Sequence, residues 1–276
     1  MVNMEELVKK ARELKPLPAS AVRLASLTSS MDTDLAEISD IIVHDQALTM
    51  RLLRAANSAA SGSAMVITDA QDAVFRLGTA RVLALTIAAN VNTLLKRDDP
   101  ALRLSESKLW SHSIAAAAAA ESLPEFVSIS LPPESFTSAL LHDIGKLVMG
   151  RFLTPQDLEA IQKAQTDDGI DSLQAEKKVL GGHHGELGGI IAQHWKLPES
   201  ISRGIIYHHT PKEGADPICD AVYLSNIIAK HIEDELAPPT PDLEALERLG
   251  LTEQQLEKLT DIAKNRFKVV HARYTN

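Results

Sequence analysis

Cysteine is nearly missing from this chain. Cys219 is the only one among 276 residues, which excludes an intrachain disulfide and any zinc site built on several thiolates. Aromatic residues make up only 4%, so aliphatic side chains must close the core. No apolar run approaches the roughly 18 residues that a membrane-spanning helix requires. The opening stretch MVNMEELVKK also lacks the apolar middle of a secretory signal. A cytoplasmic protein off the membrane is expected. Positive charge is in deficit as well: 28 Lys and Arg against 37 Asp and Glu give a formal net charge of −9. That balance speaks against nucleic-acid binding through a general basic surface.

What is present is helical pattern. Hydrophobic residues form 45% of the chain, enough for one large core or two smaller ones. Apolar positions recur at helical spacing over 4–14, 19–29, 34–43, 46–58, 69–76, 79–96, 107–123, 134–150, 155–165, 171–180, 185–195, 198–208, 216–236 and 252–270. No segment reads as a strand, so the fold class expected is all-α. Asp32-Thr33-Asp34, Thr68-Asp69 and Ser105-Glu106-Ser107 stand where N-caps belong, and Gly78 and Gly181-Gly182 where helices stop. Six alanines at 115–120 predict close helix approach. The polar, Pro-containing stretch KRDDPALRLSES, 96–107, divides an N-terminal helical lobe (1–100) from a central lobe (101–237). A second break, ELAPPTPD, introduces a C-terminal helical tail (238–276).

One stretch does not fit a simple core helix. TSALLHDIGKLVMG, 137–150, sets His142 and Asp143 side by side among Leu140, Leu141, Ile144, Leu147 and Val148, and a buried free carboxylate is costly unless something pairs with it. The remaining histidines offer partners. His112, His183, His184, His208 and His209 fall where helices begin or end, and imidazoles with a carboxylate make a site for a divalent transition metal or Mg²⁺. His142 and Asp143 can flank one ion, or Asp143 can bridge two. Lys146, a turn further on, can reach a phosphate or Asp143 itself.

These motifs together resemble a known family. LLHDIGK, with WSHS upstream and GGHHGELGGIIAQHWKLPESISRGIIYHH downstream, resembles the HD superfamily of helical metal-dependent phosphohydrolases. LKPLPASAVRLASL, VHDQALTMRLLRAANSA, AVFRLGTARV and the Trp195 to Pro198 W-x-LP narrow the resemblance to its HDOD branch, the HD-related output domain of bacterial signalling. It covers roughly 14 to 230 and makes 101–237 the HD-like lobe. It implies metal ligands at His112, His142, Asp143, His184, His208 and His209, with Asp143 and Lys146 as the catalytic pair of any enzyme. The last ligand of the HD pattern is an Asp; here Asn226 stands at that place and Asp220 more than a turn earlier. Asn is a neutral, weaker ligand. The GYP stretch of the cyclic-di-GMP hydrolases is missing, so hydrolysis of that nucleotide is not implied.

Other residues have plainer readings. Asp45 of the second HD dipeptide, His44-Asp45, is an N-cap, His183 is a cap or faces solvent, and Glu176 reads as a surface helix charge ahead of a partner that orients a ligating imidazole. His194, His231 and His271 are structural or exposed. Two functions follow from the resemblance: a non-enzymatic output or scaffold module that acts on signalling proteins, or a metal-dependent phosphohydrolase acting on a phosphodiester or nucleotide. Either admits a divalent ion (Fe, Mn, Zn or Mg) and a small nucleotide or phosphate ligand. No sensory domain fits within the chain, so input is expected from a partner or a bound small molecule.

Overall fold

A computed structural model describes residues 2–28, 34–57, 66–79, 81–87, 100–234 and 239–274, and among them there is helix and no strand. The all-α expectation holds. The N-terminal elements are α1 (Met4–Arg12), α2 (Ala19–Thr28), α3 (Leu35–Val43), α4 (Gln46–Ala56) and α5 (Ala70–Leu77), followed by helical residues 81–87. The central elements are α6 (Pro100–Ser122), α7 (Ser135–Leu141), α8 (Ile144–Phe152), α9 (Pro155–Asp168), α10 (Ser172–Leu180), α11 (His184–His194), α12 (Glu199–Ile206), α13 (Pro211–Gly214) and α14 (Pro217–Glu233). The C-terminal pair is α15 (Leu243–Leu249) and α16 (Glu253–Tyr274). No helix among the described residues is long and apolar enough to cross a membrane.

Local chemistry sets many of these ends. Asp34, Asp45 and Asp69 each accept a backbone N–H in the first turn of α3, α4 and α5, and Asp45 is thereby the cap its position suggests. Gly78 and Gly181 stop their helices with φ of 78° and 82°, a backbone region that glycine enters without a steric penalty. The expectation fails at 96–107. Residues 100–107 belong to α6, with Pro100 at its first position, where a missing N–H costs nothing. Ser105-Glu106-Ser107 therefore lies inside a helix. Residues 88–99, which hold the rest of that break and the end of the 79–96 helix, lie outside the described residues, as do Asp32 and Thr33.

α6 is the axis of the central lobe. Its six alanines are 0–3% exposed, and their small side chains let α7, α14 and α16 close in on it. The C-terminal tail is part of the same body: Leu246, Leu249, Leu256 and Leu259 bury against Ala119 of α6, Leu123 just beyond its end, and Leu224 and Ile228 of α14. Each such fully buried leucine is worth about 1.5–3 kcal/mol. The N-terminal lobe likewise shares a core with the centre, since Leu7, Leu24, Ile38, Ile42 and Leu52 join Leu141, Ile144, Leu187, Trp195 and Ile201 in one cluster. A bidentate pair from Arg81 to Glu121 ties residues 81–87 to α6 as well.

Candidate metal centre

The single helix expected over 134–150 is two helices, broken at the HD pair. His142 ends α7, and Asp143 begins α8 with φ −98° and ψ 13° and no side-chain capping bond. The break frees the carboxylate for another use. It is fixed by the next residue but one, because α8 lies so close to α11 that a Cβ on Gly145 would collide with the His184 carbonyl oxygen. His184 opens α11 behind a capping box made by His183 and Glu186. A Cβ on Gly189 of α11 would likewise meet the Ile206 side chain of α12, which holds the turn carrying His208 and His209 against α11.

The cluster converges on Asp143. Its Oδ2 lies 3.5 Å from His142 Nε2 and 3.9 Å from His112 Nε2. Its Oδ1 lies 3.4 Å from His184 Nε2 and 3.7 Å from His208 Nε2. The carboxylate thus stands between two groups of close ligand atoms: His112, His142 and Asp143 on one side, His184, His208 and His209 on the other. The outward nitrogens are anchored. His142 Nδ1 is 2.7 Å from Ala139 O, His208 Nδ1 is 2.7 Å from Ile205 O, and His184 Nδ1 is 2.7 Å from Glu176 Oε2. Each acceptor fixes the proton on Nδ1, so the neutral ring turns an Nε2 lone pair into the site.

Those lone pairs lack donors. His142 Nε2 and Asp143 Oδ1 are fully buried with no hydrogen-bond partner, while His184 Nε2 sits 3.2 Å from His208 Nε2 and 3.1 Å from His209 Nε2. Orphaned acceptors facing one another in a dry site are costly, and a divalent ion would satisfy all of them. The residues present therefore fit a metal. Burial holds His142 down to about 3 from its ordinary 6.5, and pushes His208 in the same direction. Both stay neutral, as ligands must be. Burial alone would raise the Asp143 carboxyl, but it lies well below the usual carboxylate range, with the Lys146 ammonium as the charge beside it. Lys146 Nζ is 2.9 Å from Asp143 Oδ2 and partly exposed.

All the histidines and the aspartate singled out as ligands are thus brought together. Asn226 joins them, its Oδ1 3.0 Å from His112 Nε2. Asp220 does not, because Arg248 of α15 grips it through both carboxylate oxygens. Glu176 corrects the reading of a surface charge: it is buried and accepts both the backbone N–H and the Nδ1–H of His184. His183 is the cap, His194 Nε2 lies 3.0 Å from Leu14 O, and the His271 side chain lies outside the described residues. Two residues escaped sequence reasoning. Glu233 Oε2 is 3.0 Å from His112 Nδ1, and Lys230 stands exposed one turn before it. Their spacing from Asn226, i+4 and i+7, was the available signal.

Comparison with known proteins agrees with this architecture. An uncharacterized protein of Treponema pallidum (strain Nichols) is 24% identical over 227 residues, 81% of this chain and 43% of its own length, so the chain spans less than half of that curated relative. A solved structure from Shewanella amazonensis SB2B, provisionally named a phosphohydrolase, is 26% identical with a TM-score of 0.69 and covers 95% of this chain and 97% of its own. Another from Marinobacter aquaeolei VT8, provisionally named a signal transduction protein, is 20% identical with a TM-score of 0.76, over 96% of this chain and 60% of its own; that likeness is one of fold. The HDOD domain family matches residues 14–211, most of the length, and this chain belongs to it.

Proposed function

We propose that this HDOD chain is an output module of bacterial signal transduction, built around a buried divalent ion that stabilises the central lobe rather than driving turnover. The orphaned Nε2 of His142 and Oδ1 of Asp143 carry the metal half of the reading. Its ligands are His112, His142, Asp143, His184 and His208, with Asn226 and His209 at the edges. Imidazoles in this number favour Zn or Fe over Mg, with Mn between them. The scaffold half rests on charge. Among the described residues Asp143 is the only carboxylate in the two ligand groups, and Asn226 adds a neutral amide, so a second divalent ion would be poorly neutralised. Signalling proteins are the partners on this reading, with a small phosphate-bearing ligand reaching Lys146.

One observation favours a second reading, a metal-dependent phosphohydrolase: Asp143 faces both groups of imidazoles at once. A bound ion would supply Lewis acidity at a phosphoryl oxygen, and Lys146 at the edge would hold the same oxygens. Elemental analysis of wild type and Asp143→Ala, with melting temperatures, tests the first reading. Metal should fall to background in the variant. At a hundredfold excess over Kd, the ion should stabilise wild type by about 2.7 kcal/mol. Multiple turnovers of a generic phosphodiester by wild type, absent in Asp143→Ala, would replace the scaffold reading with the enzyme.

A further inference from the structure

We infer that Glu233, the last residue of α14, is a positioning residue of the metal centre that holds the His112 ring and thereby ties the centre to the C-terminal helices. The inference rests on the reading that the cluster holds a divalent ion. Four imidazoles have an acceptor on the outward nitrogen, but in two different ways. His142 and His208 turn to carbonyl oxygens three residues back in their own chain, Ala139 and Ile205. His184 and His112 turn instead to carboxylates from other helices, Glu176 of α10 and Glu233 of α14. A ring held by its own backbone moves with its helix. A ring held by a distant carboxylate is placed by wherever that other helix sits.

Two residues of α14 meet His112: Glu233 Oε2 accepts from Nδ1 at 3.0 Å, which leaves the Nε2 lone pair facing the site beside Asn226 Oδ1, also at 3.0 Å, where one ion would take both. Asn226, Lys230 and Glu233 share one face of that helix. Its other faces bury Leu224 and Ile228 against α6 and against leucines of α15 and α16. This whole wall follows residue 211, where the HDOD match ends. A displacement of α15 and α16 would therefore act on α14, and through Glu233 directly on a metal ligand.

The test is equilibrium dialysis of the full chain against Mn²⁺ and, separately, Zn²⁺, read by elemental analysis, for wild type, Glu233→Ala, Glu233→Gln and Glu176→Ala. Glu233→Ala should bind about 10–100-fold more weakly, as should Glu176→Ala. Glu233→Gln, which keeps an acceptor at the same reach, should recover part of the affinity. The metal-free melting temperatures of wild type and the two Glu233 variants should coincide, because Glu233 is partly exposed. A merely structural role would lower the metal-free melting temperature and leave the dissociation constant alone. Wild-type binding that Glu233→Ala leaves unchanged overturns this inference alone. No binding of either ion by wild type overturns the metal reading, and this inference with it.

Discussion

On one side of Asp143 stand His112 and His142, on the other His184, His208 and His209, and the protein holds the two groups differently. In the first group both rings are buried and anchored, His142 by Ala139 O and His112 by Glu233. In the second, His184 and His208 are buried and anchored in the same manner, but His209 is partly exposed and reaches its neighbours through Nε2. Anchored rings have little freedom left to lose when an ion binds. The comparison teaches that number of imidazoles and number of prepared ligands are separate quantities: His209 is near the site without being fixed for it.

Acid should test the two groups most severely. Burial places the folded-state values of His142 and His208 below their ordinary 6.5, His142 at about 3. Between those values the unfolded chain binds more protons than the native one, so the stability of the metal-free protein falls as pH drops below about 6.5. One such histidine accounts for about 2 kcal/mol between pH 7 and pH 5. Urea unfolding of wild type, His142→Ala and His208→Ala at both pH values checks this. Burial holds His209 down as well, to about 2, so each variant should lose about a third of the wild-type pH dependence; if one variant lost all of it, the two groups would not be alike in acid.

Metal affinity should then separate the prepared ligands from the unprepared one. Removing His142 or His208 should weaken Mn²⁺ binding beyond the roughly 100-fold that loss of an orienting partner causes, whereas His209→Ala should stay within about tenfold. Equal losses would erase the distinction drawn above. The smallest effect lies outside the site. Arg81 and Glu121 are 31% and 25% exposed in their side chains, so Arg81→Ala should cost about 1 kcal/mol or less. It should leave the Mn²⁺ affinity of the centre unchanged, and a change would mean that the N-terminal lobe reaches the ligands through α6.

Helical periodicity made most of the fold legible, and caps such as Asp34 and Asp69 marked its joints. The break between His142 and Asp143 was not legible, because Leu140, Leu141, Ile144, Leu147 and Val148 keep helical spacing straight across it. An Asp at a helix start normally spends its side chain on its own backbone; Asp143 leaves that role unfilled and turns inward. The convergence of the imidazoles on Asp143 was readable because His112, His142, His184 and His208 fall at apolar positions of separate helices. Glu176 and Glu233 were harder. Each sits on a helix face that also carries ordinary surface charge, and only the packing of α10 and α14 shows which carboxylate meets a ring. ELAPPTPD reads as a linker before a helical tail, but nothing in it tells that α15 and α16 bury their leucines in the central lobe.

Gly145 has a consequence for how such a chain can change over generations. Its backbone faces the His184 carbonyl with no room for a Cβ, and a contact of main chain on main chain cannot be loosened by exchanging side chains nearby. A descendant could trade a ligand for a neutral residue one substitution at a time and with the cage intact. Widening the gap between α8 and α11 would instead require both helices to shift together. Side chains in this scaffold are therefore free to drift while the spacing around Asp143 is inherited, and a lineage that changed them would keep the same frame of helices.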